Sequence, residues 1–184
     1  MSHYKVLVVG LGKTGWSVAQ FLAKRKIDFR VMDTRLSPPY LKRFRSFFSE
    51  IPLHLGSLNT VWIRQSHKII LSPGVDPQLI EKNITKLCGI YSDLDLFNQV
   101  VNAPVIAITG SNGKSTTTVL IEKLLTGAKK SVKTGGNLGT PALDLLMDPP
   151  PDFYILELSS FQLSITKQLK TRVSLFLNFA PDHL

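Results

Sequence analysis

The 184-residue chain has one cysteine, Cys88. A lone thiol closes no internal disulfide, which excludes a cross-linked secreted scaffold and makes the reducing cytoplasm the expected location. Long apolar runs are missing too. The first run, Lys5 to Val9, is too short to span a bilayer and is broken at once by Gly10, Gly12 and Lys13. No small-residue cleavage site follows, so it reads as a buried strand and not as an anchor or a signal peptide. No repeat occurs, and no low-complexity tract beyond Pro149-Pro150-Pro151. Hydrophobic residues nevertheless make up 43% and charged residues only 19%, a composition that buries a core and excludes disorder over most of the length. The length allows one or two compact units and no large multidomain assembly.

Acidic residues are few throughout, and in the first half they do not balance the cations. The net charge is +9; residues 1–93 carry 14 Lys/Arg against 6 Asp/Glu, whereas residues 94–184 carry 8 against 7. A basic half raises a nucleic-acid reading, because clustered cations neutralise phosphates. The cations at Lys24, Arg25, Lys26, Lys42, Arg43 and Arg45 are dispersed over helical segments without interleaved stacking aromatics, so no nucleic-acid partner is expected. A solvated basic surface and a small anionic ligand are the two readings left.

Strand and helix patterns alternate. Lys5 to Val9 and Phe29 to Met32 are apolar runs flanking the helically spaced Thr14 to Lys24. The alternation goes on through a strand at Lys68 to Leu71, a Ser72-Pro73-Gly74 turn, a helix near Pro77 to Lys86 and a short strand around Ile90. It restarts after a linking helix over Asp93 to Val101. Val105 to Thr109 is a buried strand, Lys114 to Leu125 a helix, and Phe153 to Glu157 and Val173 to Asn178 are two more strands. Such alternation predicts α/β units with parallel sheets, divided near residue 93.

Gly10-Leu11-Gly12-Lys13-Thr14-Gly15 is a literal G-x-G-x-x-G between strand and helix, with Asp33 18 residues after its last glycine. This is the dinucleotide fingerprint in its expected context. The physics requires less than NAD(P): glycines let backbone approach a phosphate, and the helix start supplies free N–H groups and a positive dipole end. Another diphosphate ligand, or a tight turn with no ligand, meets the same pattern. Thr34 and Arg35 beside Asp33 could hold a phosphate or a uracil edge, or Arg35 could form only a surface ion pair.

Thr109-Gly110-Ser111-Asn112-Gly113-Lys114-Ser115-Thr116 also lies between a strand and a helix. The standard phosphate loop has a glycine five residues before its Gly-Lys; that position is Ile108, so this loop is shorter. Backbone N–H groups can still cradle a phosphate, Lys114 can reach the transferred phosphoryl and Ser115 can ligate Mg²⁺. A chance Gly-Lys-Ser turn is the bland alternative. Glu157 ends a central strand, where open α/β sheets bind ligands, and suits a second magnesium ligand; a surface glutamate at a strand end is its alternative. Ser159 and Ser160 are equally suited to capping a helix.

Both motifs, together with TGSNGKST, GGNLGTPAL (135–143), LELSSFQL (156–163) and NFAPDHL (178–184), resemble the Mur ligases of peptidoglycan synthesis, and among these the D-glutamate-adding members. The likeness covers the whole chain. TGxNGK alone also admits folylpolyglutamate synthetase, which does not resemble residues 1–93. The resemblance implies a Rossmann-like domain over 1–93 that holds the uridine diphosphate of a sugar substrate, followed over 94–184 by the first part of a P-loop ATPase-like domain. Lys13, Thr14, Asp33, Thr34, Arg35, Ser72 and Gly74 become candidates for the UDP-substrate, with Ser159 and Gln162 as further substrate candidates. By the same resemblance Gly110, Asn112, Gly113, Lys114, Ser115 and Thr116 bind ATP, Asn137 places the substrate, and Ser115, Glu157 and His183 ligate magnesium. Lys114, Asn137 and His183 are the catalytic candidates.

The implied reaction joins D-glutamate to UDP-N-acetylmuramoyl-L-alanine in a monomeric cytoplasmic enzyme with no membrane span, through an acyl phosphate made with ATP and Mg²⁺. Family members are longer. The carbamylated lysine and the D-glutamate-binding domain of the family lie beyond residue 184, so a fragment that binds but does not turn over is the expectation. An NAD(P)-dependent oxidoreductase domain and a non-catalytic nucleotide-binding regulator are the alternatives.

Overall fold

The computed structural model describes residues 5–146 and 149–180. It divides into two compact units, Met1–Asp93 and Leu94–Leu184. The first runs β1 (Val6–Val9), α1 (Lys13–Lys24), β2 (Phe29–Asp33), α2 (Leu41–Phe47), β3 (Leu53–Leu55), α3 (Thr60–Gln65), β4 (Lys68–Leu71), α4 (Gln78–Glu81) and β5 (Gly89–Tyr91). Its strands form one parallel sheet in the order β3-β2-β1-β4-β5. β1 is central and wholly buried, consistent with its uninterrupted Val-Leu-Val-Val: a strand covered on both faces has no polar side to show. Leu7, Val8, Val31, Ile69 and Leu71 are sealed from solvent, each contributing about 1.5–3 kcal/mol by burial. The strand order reverses between β1 and β4, which opens a crevice beyond their carboxyl ends.

The second unit contains α5 (Asp93–Val100), β6 (Val105–Thr109), α6 (Lys114–Gly127), β7 (Val132–Gly136), a 3₁₀ turn at Ala142–Leu145, β8 (Phe153–Glu157), α7 (Ser160–Ile165) and β9 (Val173–Phe176). Its parallel sheet has the order β7-β8-β6-β9. Ile106, Ile108 and Ile155 form its buried centre, with Ile121 and Leu125 of α6 packed against them. The α5 side chains reach forward along the chain: Asp95 Oδ1 accepts from the amides of Lys167 and Gln168, and Asn98 Oδ1 from that of Lys170. These bonds fix the segment that leads into β9.

Two expected elements are shorter. The helix over Pro77 to Lys86 shrinks to Gln78–Glu81, because only Ile80 reaches the core while Leu79 and Leu87 stay exposed. Just past its end the Asn83 carboxamide donates to the Leu79 carbonyl at 3.4 Å. The strand over Val173 to Asn178 stops at Phe176, and the next residues turn to the loop after β6. No helix among the described residues is long and apolar enough to cross a membrane.

Candidate functional site

Each unit places a glycine loop at the carboxyl end of its central strand. In the first, β1 runs into Gly10 and the chain turns through Gly12 into α1. Gly15 sits so close to the turn that a Cβ there would overlap the Gly10 carbonyl oxygen. Ser72, at the end of β4, donates its hydroxyl to that same carbonyl over 3.1 Å, bringing the Ser72-Pro73-Gly74 turn beside the loop. Among the described residues, chain neighbours aside, nothing lies within 4 Å of the position a Cβ would take at Gly12 or at Gly74. Glycine at these two positions is therefore not required by the chain's own packing. The backbone there faces open space at the crevice, a cradle that a ligand can approach closely.

Asp33 closes the loop from the side. Its carboxylate accepts from the Leu11 amide at 2.6 Å, the Arg35 amide at 2.9 Å, and Arg35 Nε and Nη2 at 2.8 and 2.6 Å. Burial on its own would raise the Asp33 carboxyl, but the Arg35 guanidinium and the Leu11 and Arg35 amides hold it below its usual value. Arg35 is raised in turn by its hydrogen bond to Asp33. Asp33 is 3% exposed with both oxygens engaged by protein donors, so it shapes the loop and offers little to a ribose hydroxyl. The outer edge of this group is formed by Thr34, Arg35 and Lys13, all exposed, and by the half-buried Thr14.

In the second unit β6 ends at Thr109, whose hydroxyl donates to the Leu158 carbonyl. The loop passes Gly110 at φ +142° and Gly113 at φ +83°, and Gly113 caps α6. Lys114 Nζ folds back to the Gly110 carbonyl at 2.6 Å and the Ser111 carbonyl at 3.1 Å. Asn112, Gly113, Ser115 and Thr116 are exposed around it. The Ser115 hydroxyl donates to Glu157 Oε2 at 2.8 Å, and Asn137 Nδ2 donates to Glu157 Oε1 at 3.3 Å. A second bond, from the Asn137 amide to the Glu157 carbonyl at 2.7 Å, fixes that pair. Lys114, Ser115, Asn137 and Glu157 thus converge at the carboxyl ends of β6 and β8.

Glu157 is 4% exposed, and among the described residues no cation lies within ion-pair distance of it. Among the described residues, its side-chain oxygens meet a hydroxyl and a carboxamide. A buried carboxylate with neutral partners is poorly compensated, and a hard divalent cation supplies the missing charge. The donor set fits magnesium held by one or two protein oxygens, with phosphate oxygens completing the shell. His183, the other expected ligand, lies outside the described residues.

Ser159 and Gln162 are committed to each other. The Ser159 hydroxyl accepts from the Gln162 amide while Gln162 Oε1 accepts from the Ser159 amide, a capping box at the start of α7. Two residues with no role assigned from sequence bind the second loop. Asn178 Oδ1 accepts from the Asn112 amide at 2.9 Å, and Asn178 Nδ2 donates to the Asn112 carbonyl at 2.9 Å. Ser111 donates its hydroxyl to the Ala180 carbonyl and accepts from the Ala180 amide. The signal available in sequence was an asparagine at the end of an apolar run, which is too common to single out.

Comparison with known proteins follows the same division. The family described as "Mur ligase MurD-like, N-terminal domain" matches residues 4–90, and that described as "Mur ligase middle domain" matches residues 108–184. A UDP-N-acetylmuramoylalanine–D-glutamate ligase of Nitrosococcus oceani is 45% identical over 181 residues, 97% of this chain and 40% of that protein. The enzyme of the same name from Pseudomonas aeruginosa is 42% identical over 185 residues, 99% of this chain and 41% of its own. The chain thus spans about two fifths of the length of these relatives. A solved pseudomurein peptide ligase type C from Methanothermus fervidus aligns with a TM-score of 0.46 and 24% identity, over 97% of this chain and 39% of that one.

Proposed function

Since this chain belongs to the Mur ligase family, we propose that its first unit holds a UDP-sugar substrate and its second the phosphates of ATP with magnesium, as parts of an enzyme that adds D-glutamate to UDP-N-acetylmuramoyl-L-alanine. The observation that carries this reading is the Ser115–Glu157–Asn137 group beside Lys114: a hydroxyl, a buried carboxylate whose described partners are neutral, and an ammonium folded onto the carbonyls of a glycine loop. Gly12 and Gly74, open where a side chain would intrude, support a diphosphate close to backbone in the other unit.

In the reaction proposed, the substrate carboxylate takes the γ-phosphoryl of ATP and ADP departs. The amine of D-glutamate then attacks the carbonyl carbon, a C–N bond forms, and phosphate leaves with one former carboxylate oxygen. Activation is needed because an unmodified carboxylate has no viable leaving group. In this chain the first-turn amides of α6 and Lys114 bind phosphate oxygens, since they are donors that the helix itself cannot use. Lys114 leaves the Gly110 and Ser111 carbonyls to do so, exchanging neutral acceptors for charged ones. Glu157 and Ser115 would hold magnesium, which when bound would supply positive charge against the phosphate oxygens. Asn137 keeps the Glu157 carboxylate turned toward Ser115. A cytoplasmic location is part of the same proposal.

Calorimetric titration with UDP and, separately, with NADH tests the first unit. UDP binding without NADH binding is expected. Binding of NADH with none of UDP would restore the oxidoreductase reading of the G-x-G-x-x-G loop.

A further inference from the structure

We propose that Asn178 is a positioning residue for the phosphate loop, acting as a two-bond clamp on the Asn112 peptide; this rests on the ATP reading of the second unit. One carboxamide grips both ends of a single residue: Oδ1 takes the Asn112 N–H and Nδ2 reaches the Asn112 carbonyl, each at 2.9 Å. Only asparagine or glutamine presents a donor and an acceptor side by side in this way, and glutamine is a methylene too long for the same placement.

The backbone around the clamp is built for close approach. The Ser111 amide donates to the Asn178 carbonyl at 3.2 Å. A Cβ at Gly110 would sit 3.1 Å from the Asn178 nitrogen and 3.1 Å from the Leu177 Cβ, while its φ of +142° is one that side-chain-bearing residues avoid. The Ser111 hydroxyl then exchanges hydrogen bonds with both backbone groups of Ala180. The loop is thus fastened at Ser111 and Asn112 to the segment leaving β9.

The consequence for phosphate binding lies in which donors are used. The Ser111 and Asn112 amides are both spent on Asn178, the first on its backbone carbonyl and the second on the clamp. The amides left to face a phosphate are those from Gly113 to Thr116, joined by Lys114 Nζ. A shortened loop has fewer donors than the standard one, so aiming those that remain matters more. Asn178 touches no phosphate itself; it fixes the orientation of the peptide just before the cradle begins.

The test uses the full 184-residue chain, the Asn178→Ala and Asn178→Asp variants, hydrogen exchange without ligand, and calorimetry with Mg²⁺·ATP. In Asn178→Ala the Asn112 amide should exchange at least about tenfold faster, while amides of β6 and the melting temperature stay near wild type, because the lost bonds are solvent-exposed. ATP affinity should fall about tenfold, the equivalent of about 1.4 kcal/mol. Asn178→Asp keeps the acceptor for the Asn112 amide and should retain its protection. An Asn112 amide unmoved in Asn178→Ala, or faster exchange with unchanged ATP affinity, would overturn the proposal. A wild-type chain that ignores ATP would instead overturn the ATP reading on which it stands.

Discussion

The Ser115 hydroxyl and the Glu157 carboxylate, on α6 and at the end of β8, meet at 2.8 Å although the chain separates them by 42 residues. The pairing arises because β6 and β8 are adjacent parallel strands in register, Ile108 opposite Glu157, and α6 begins just beyond β6. Glu157→Gln preserves shape and an acceptor for Ser115 but removes the charge. We expect unchanged stability and loss of the Mg²⁺ dependence of nucleotide affinity, read by titrating ATP with and without the metal. A magnesium effect that survives in the variant would remove Glu157 from the metal site.

Lys114→Ala should lower ATP affinity by about 10²-fold, as expected for losing a charge-assisted contact to phosphate of about 2–3 kcal/mol. UDP affinity should not move, because the two loops belong to separate compact units. Parallel titrations with both ligands decide this; equal losses would mean the ligands are wrongly divided between the units.

Two glycines of the first unit give opposite outcomes. Gly15→Ala drives a methyl into the Gly10 carbonyl and should cost about 1–3 kcal/mol or more, visible in denaturant unfolding. Gly74→Ala meets nothing beyond its chain neighbours among the described residues and should leave unfolding unchanged while weakening UDP about tenfold, or about 1.4 kcal/mol. If Gly74→Ala bound UDP as well as wild type, that turn would not contact the ligand.

Acid should loosen the first unit through Asp33. Its carboxyl lies below the ordinary 3.8 in the folded chain, so it adds stability that is full above that value and is lost as pH falls through the lower, folded value. Arg35→Ala removes the strongest of the contacts that lower it and leaves burial to act, so acid unfolding should begin at higher pH. Melting curves by circular dichroism between pH 2 and 6 test the direction. An unshifted or lowered acid midpoint in the variant would contradict it.

The sequence made the buried strands legible because β1, β4, β6 and β8 are covered on both faces and show as continuous apolar runs. β7 did not show: its Val-Lys-Thr-Gly-Gly has no such run, and its place at the sheet edge depends on pairing with β8 along its whole length. Short α2 and α3 were equally silent, since a helix of two turns or less carries too few residues for a period to emerge, and α7 showed only through its capping serine. Site residues in glycine motifs could be read locally. The Asp33–Leu11 and Asn178–Asn112 bonds could not, because each joins the ends of strands whose neighbourhood only the sheet order decides.

In both sheets the strand made first has a neighbour on either side that is made later: β1 lies between β2 and β4, and β6 between β8 and β9. A chain emerging from the ribosome therefore exposes Val-Ile-Ala-Ile of β6 with neither neighbour until residues 153–157 have been synthesised and β9 after them. Such non-local pairing delays folding, and at about 5–20 residues per second the gap lasts for seconds. During translation the segment that ends in the phosphate loop is a sticky, unpaired strand, a natural point of capture for chaperones.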